Sequence, residues 1–147
     1  MKTVYRVLAY AIAAMVAIQA GAIGYAVFAQ LHWIENGGTL DEASFESAPG
    51  FGAYIFHALN GATVLLLALA LLIISFFAKI PQGVRWAVIV LACTIVQIAL
   101  GTLSRLVSQI GAVHGAVALV LFGVAVMAAM RARKPAVVEE PVPATVA

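Results

Sequence analysis

The chain has 147 residues, 65% of them hydrophobic and only 10% charged, and its mean hydropathy of +1.10 lies far above that of soluble globular domains. That balance excludes a water-soluble enzyme or binding module, and a formal net charge of +2 leaves no electrostatic footprint for nucleic acid. A single cysteine, Cys93, excludes a disulfide framework and a thiolate metal site.

The first charge-free window, Val7 to Ala29, predicts a transmembrane helix over 7–29. The preceding MKTVYR gives it the look of a signal peptide. The apolar run is long for such a leader and lacks a clear A-x-A site at its end, so a retained span is expected. Residues 31–50 form the first loop, with no Lys or Arg but with Glu35, Asp41, Glu42 and Glu46. His32 and Trp33 open it, where amphipathic rings settle at a membrane interface. The loop is read as a solvated connection or as a docking surface for a basic electron-transfer partner.

Three more windows follow, predicting helices over 51–78, 85–105 and 108–131. Each is long enough to cross a hydrocarbon core of about 30 Å. The expected fold is an all-α integral membrane protein, an up-down four-helix bundle over residues 1–134. The Pro- and Val-rich segment 135–147 is expected to be disordered. Seven of the eight basic residues, Lys2, Arg6, Lys79, Arg85, Arg131, Arg133 and Lys134, fall on one side. By the positive-inside rule both termini are cytoplasmic and the first loop faces outward, in a bacterial inner membrane.

A weak two-fold repeat of helix pairs underlies this pattern. AIQAGAIG in the first helix and IVQIALGT in the third each carry one glutamine followed by glycine. Gln19 lies 13 residues after Arg6, and Gln97 lies 12 after Arg85. In the second and fourth helices, AYIFHALNGAT and GAVHGAVALVL each place a histidine near the outer end. His57 and His114 stand about six residues below the expected starts, roughly 9 Å at 1.5 Å per residue. His57, Asn60 and Gly61 share a helix face. Thr94, Gln97, Gly101, Ser104, Arg105 and Ser108 recur at three- and four-residue intervals, a stripe assigned to the interior.

One intramembrane histidine is ordinarily interhelical glue. Two at equal depth on diagonal helices can point at each other across the bundle, and a flat cofactor with two axial positions fits between them. Heme b with bis-histidine ligation is the expected group. Gly24, Gly61, Gly101 and Gly115 leave room near that level. Gln19 and Gln97 are placed to hydrogen-bond the imidazoles or to pair across helices. Arg105, with Ser104 and Ser108, could meet the propionates. Zinc would want three or four close ligands and is disfavoured.

The run VQIALGTLSRLVSQIGAVHG, residues 96–115, resembles the segment of the heme A synthase family in which a Q-x-x-x-G helix end leads into a G-x-x-T-R-L-T-like motif. AYIFHALNG resembles that family's E-Y-x-H-R-x-x-G stretch around a ligating histidine. The resemblance implies one four-helix half-module holding heme between its second and fourth helices, with His57 and His114 as ligands and Arg105 as a propionate partner. It does not extend to synthase catalysis. Tyr54 stands where the family has a carboxylate, Ala58 replaces the following arginine, the first loop has no cysteine pair, and only one half-module is present. A membrane redox protein is therefore expected, served by a redox partner or a quinone. The alternatives are a heme-free accessory or assembly subunit and a quinone- or heme-modifying enzyme. The sequence leaves the oligomeric state open.

Overall fold

A computed structural model describes residues 1–133, and the expected disordered tail, 135–147, lies outside them. Four helices form an all-α bundle: α1 Lys2–Glu35, α2 Phe51–Ala78, α3 Gly83–Leu103 and α4 Ile110–Arg131. All four are long and apolar enough to cross a membrane. Each packs on its chain neighbour and α4 closes on α1, whereas the diagonal helices stay apart. Successive helices run antiparallel, so one end of the bundle carries the long loop and the other carries the amino terminus.

Three of the helices have boundaries that differ from those the hydropathy predicts. Helix α1 begins five residues before Val7 and continues six beyond Ala29, which shortens the loop to residues 36–50. Hydropathy marks the part of a helix that crosses hydrocarbon, and the hydrogen-bonded helix continues past it through QLHWIE. At 1.5 Å per residue α1 is about 51 Å long, well over the roughly 30 Å of the hydrocarbon core. Helix α3 stops at Leu103 rather than 105, because the Ser104 hydroxyl donates to the Gly101 carbonyl at 2.8 Å and competes for the last turn. Helix α4 starts at Ile110 rather than 108, after a turn closed by short backbone bonds such as Leu106 N–H to the Leu103 carbonyl at 2.9 Å.

Packing is concentrated in the half near the amino terminus. Ala9, Ile12, Ala13 and Val16 meet Val64, Ala68 and Leu71, Ala87 and Val90, and Leu121, Ala125, Ala128 and Ala129 in one buried cluster. In lipid no hydrophobic force draws helices together, and small residues hold them by letting backbones approach. Tyr5 bridges the α1–α3 diagonal at this end, its hydroxyl donating to the Gly83 carbonyl at 3.0 Å. Arg131 lies over the Trp86 ring, 5.5 Å from its centre. Arg133 donates to the Tyr10 hydroxyl at 3.2 Å.

At the other end the loop is tied down by its own residues. Asp41 and Ser44 form a reciprocal cap: the Ser44 N–H donates to Asp41 Oδ1 at 2.8 Å, and the Asp41 N–H donates to Ser44 Oγ at 2.9 Å. The Phe45 ring then packs on Phe51 and Tyr54, with centres 5.5 and 5.9 Å apart. The Ser44 hydroxyl and N–H hold the Asp41 carboxyl below its ordinary value of 3.8. A depressed folded pKa stabilises the turn above that ordinary value and loses the contribution as pH falls through the depressed one. Amide exchange at Ser44 and Phe45, corrected for its intrinsic rate, is expected to speed up across that acidic window. Asp41→Ala should abolish the pH dependence.

Candidate functional site

Near the loop end His57 of α2 and His114 of α4 meet across the diagonal, with ring centres 6.1 Å apart and planes inclined by 64°. Because α4 begins late, His114 stands only four residues inside its helix and His57 six inside its own. Their rings meet nonetheless. The approach spans a pair of helices whose backbones stay apart.

The His114 ring is fixed by α3. Its Nδ1 lies 3.0 Å from the Gln97 backbone carbonyl. A carbonyl can only accept, so Nδ1 carries the hydrogen and Nε2 keeps its lone pair. The Gln97 side-chain nitrogen donates to the His114 backbone carbonyl at 2.9 Å and reaches 3.3 Å from Nε2. Gly101 makes the seat. A Cβ there would lie 3.1 Å from His114 Cε1 and 3.3 Å from Nδ1, so any side chain would push the ring off the carbonyl. Gly101→Ala adds helix propensity of up to about 1 kcal/mol, and stability should change little. The ring should still move, and a changed His114 imidazole nitrogen shift in NMR is the expected readout.

His57 is held differently. The ring lies beside the Gln19 backbone, and its Nδ1 is buried with no hydrogen-bond partner. One turn deeper Asn60, 4% exposed, donates to the Met15 carbonyl at 3.4 Å, while its Oδ1 has no partner. One turn outward Tyr54 donates to Gln30 Oε1 at 3.0 Å. Gln30 is 7% exposed, and its Nε2 is again unpaired.

The candidate residues therefore separate. His57, His114, Gln97 and Gly101 form one cluster. Gln19 borders it through its backbone, and no hydrogen bond of its side chain is found among the described residues. Gly24, Gly61 and Gly115 touch no ring, since a Cβ on any of them would meet nothing within 4 Å. Thr94, Gln97, Gly101 and Ser104 keep the inward stripe, but Arg105 and Ser108 are exposed in the turn after α3, because the helix ends before its geometry could carry them inward. His32 lies on the exposed end of α1, its ring 3.4 Å from the Asn36 side chain. Gln30 is the residue that sequence reasoning missed, as it falls beyond the hydropathy-defined helix. Tyr54, singled out in the sequence only as a departure from the motif its segment resembles, was the one signal toward it.

Four buried polar atoms in this half lack partners among the described residues: Gln30 Nε2, His57 Nδ1, Asn60 Oδ1 and Gln97 Oε1. Each unmade bond costs about 1–3 kcal/mol, which a fold bears where a ligand or water is to be met. Two bonds of about 2 Å from imidazole nitrogens to one metal ion, plus roughly 1 Å from each nitrogen to its ring centre, put ring centres about 6 Å apart. The observed 6.1 Å fits that span. Among the described residues no group of three or more His, Cys, Asp or Glu could hold a metal ion. Comparison with known proteins gives no matching family model, no matching curated protein and no matching solved structure.

Proposed function

We propose that the protein is a membrane b-type heme protein in which His57 and His114 supply both axial ligands, related to one half of a heme A synthase, and that it carries electrons rather than transforming a substrate. The observation that carries this reading is the 6.1 Å approach of two imidazoles from diagonal helices. Bound there, heme would supply a one-electron couple, and two protein ligands leave no open position for bond-making chemistry.

The chain's own groups have definite parts in it. The Gln97 carbonyl holds His114 Nδ1–H and so orients Nε2 as a ligand, the usual second-shell device at metal-bound histidines. The Gln97 amide, 3.3 Å from that nitrogen, has to turn aside on loading. Arg105 is the one Lys or Arg of the described residues outside the basic end, and it is the cation available to a propionate near the loop. Arg105→Gln removes positive charge and is expected to favour oxidised iron, lowering the midpoint potential in a redox titration. An unchanged potential would mean that Arg105 serves the lipid interface instead.

An absorption spectrum of the purified protein tests the reading. Sharp α and β bands on reduction, with protoheme recovered by pyridine extraction, are the expected result. Their absence from protein expressed with ample heme would favour a second reading, a heme-free accessory or assembly subunit. The reciprocal Gln97–His114 bonds support that alternative, since they join α3 to α4 without any cofactor. The same assignment puts the chain in a bacterial cytoplasmic membrane with both termini inside, served by a quinone or another membrane redox partner.

A further inference from the structure

The two halves of the bundle are built from different material. From Val16, Val64, Val90 and Leu121 toward the amino-terminal end, the centre is filled by buried apolar side chains. Its polar residues Ser75 and Thr94 close their hydroxyls onto their own helices, at the Leu72 and Val90 carbonyls. On the loop side the inward-facing groups are Gln30, Tyr54, His57, Asn60, Gln97, Ser104 and His114. His57, Gln97, Gly101, Ser104, Gly111 and His114 are all only partly buried. Of the five buried polar side-chain atoms without a partner among the described residues, four are in this half, and the fifth, Trp86 Nε1, lies at the amino-terminal end. Groups of this kind are satisfied by water, which needs two to four polar partners around it, whereas a cavity lined only by alkyl groups stays dry.

We propose that the loop-end half is a hydrated vestibule whose floor is Asn60, and that it delivers water-soluble reactants to His57 and His114 from the loop side alone. The Val16–Val64–Leu121 layer is a dry plug that closes the site to the opposite side. The inference deepens the heme reading and rests on it only for the identity of the reactant. If heme is held there, a water-soluble one-electron donor or acceptor reaches it from the loop side alone, beside any quinone that approaches from the lipid, and a cytoplasmic nucleotide cofactor cannot serve it when that side is external.

Thiol labelling tests the access route without any cofactor. In a Cys93→Ser background, single cysteines are placed at Ser44 in the loop, at Ser104 near the mouth, at Asn60 on the floor and at Ala125 in the plug. His57→Cys serves as a second floor position should Asn60→Cys fail to accumulate. A charged, membrane-impermeant methanethiosulfonate is added to intact cells and, separately, to inverted vesicles. The floor and mouth cysteines are expected to label from whichever side labels the Ser44 position. The Ala125 cysteine should react far more slowly from either side, because the thiolate is the species that attacks the reagent's sulfur, displacing sulfinate, and apolar burial suppresses it. Added hemin should slow labelling at the floor. The proposal is overturned if the floor cysteine reacts from the side opposite Ser44, or if it resists the charged reagent while a lipid-soluble maleimide modifies it, which would mean that the cleft opens to lipid. Failure of the heme reading would show instead as a missing reduced spectrum, with the labelling pattern intact.

Discussion

His57→Ala and His114→Ala are each expected to yield protein that folds and purifies without a low-spin heme spectrum, because removing one axial ligand leaves iron held by a single imidazole. The apo proteins separate the cofactor reading from the glue reading more sharply. His114 makes a hydrogen bond through its ring to the Gln97 carbonyl at 3.0 Å, and interhelical bonds of this kind in membranes average about 0.6 kcal/mol. His57 Nδ1 has no hydrogen-bond partner among the described residues. Replacing it by alanine removes an unsatisfied buried group, so the apoprotein should be as stable as the parent, or more so. If His57→Ala instead lowers the thermal midpoint of the apoprotein as much as His114→Ala, or if either variant keeps an unchanged low-spin spectrum, the ligand assignment fails.

Gly50→Ala is expected to detach the loop from the bundle and to be the most damaging small substitution in the chain. Gly50 caps α2 at φ +86, a left-handed conformation that costs an L-residue roughly 1–2 kcal/mol. Its Cβ would also stand 2.9 Å from both the Cα and the carbonyl oxygen of Ala26. These are backbone atoms in the middle of a helix and cannot swing away. The relief available is to lift the chain off α1, which unstacks Phe45 from Phe51 and Tyr54 and pulls Tyr54 from Gln30. Gly37 provides the control. It has nearly the same φ, +85, but nothing within 4 Å of a Cβ, so Gly37→Ala incurs the conformational cost alone. Limited proteolysis within residues 36–50 should therefore accelerate far more in Gly50→Ala than in Gly37→Ala. Equal rates would show that the contact with Ala26 does not hold the loop.

The sequence by itself determined the number of helices and the chemistry available inside them. Transfer from water to hydrocarbon is a property of each residue taken singly, so charge-free runs report the four crossings directly. Counting 1.5 Å per residue brought His57 and His114 to one depth before any packing was known. Rotation about each helix axis and contact between helices belong to the tertiary structure, because inside a bilayer hydropathy does not distinguish a face turned to a neighbour from a face turned to lipid. Packing of small residues set those rotations. It chose Gly101, out of four similar glycines, as the seat of the His114 ring, and it matched Tyr54 to a glutamine, Gln30, that lies just past the hydropathy-defined helix. It also left Arg105 outside, since a single serine hydroxyl drawing on the Gly101 carbonyl ended α3 two residues before the periodic stripe could carry that arginine inward.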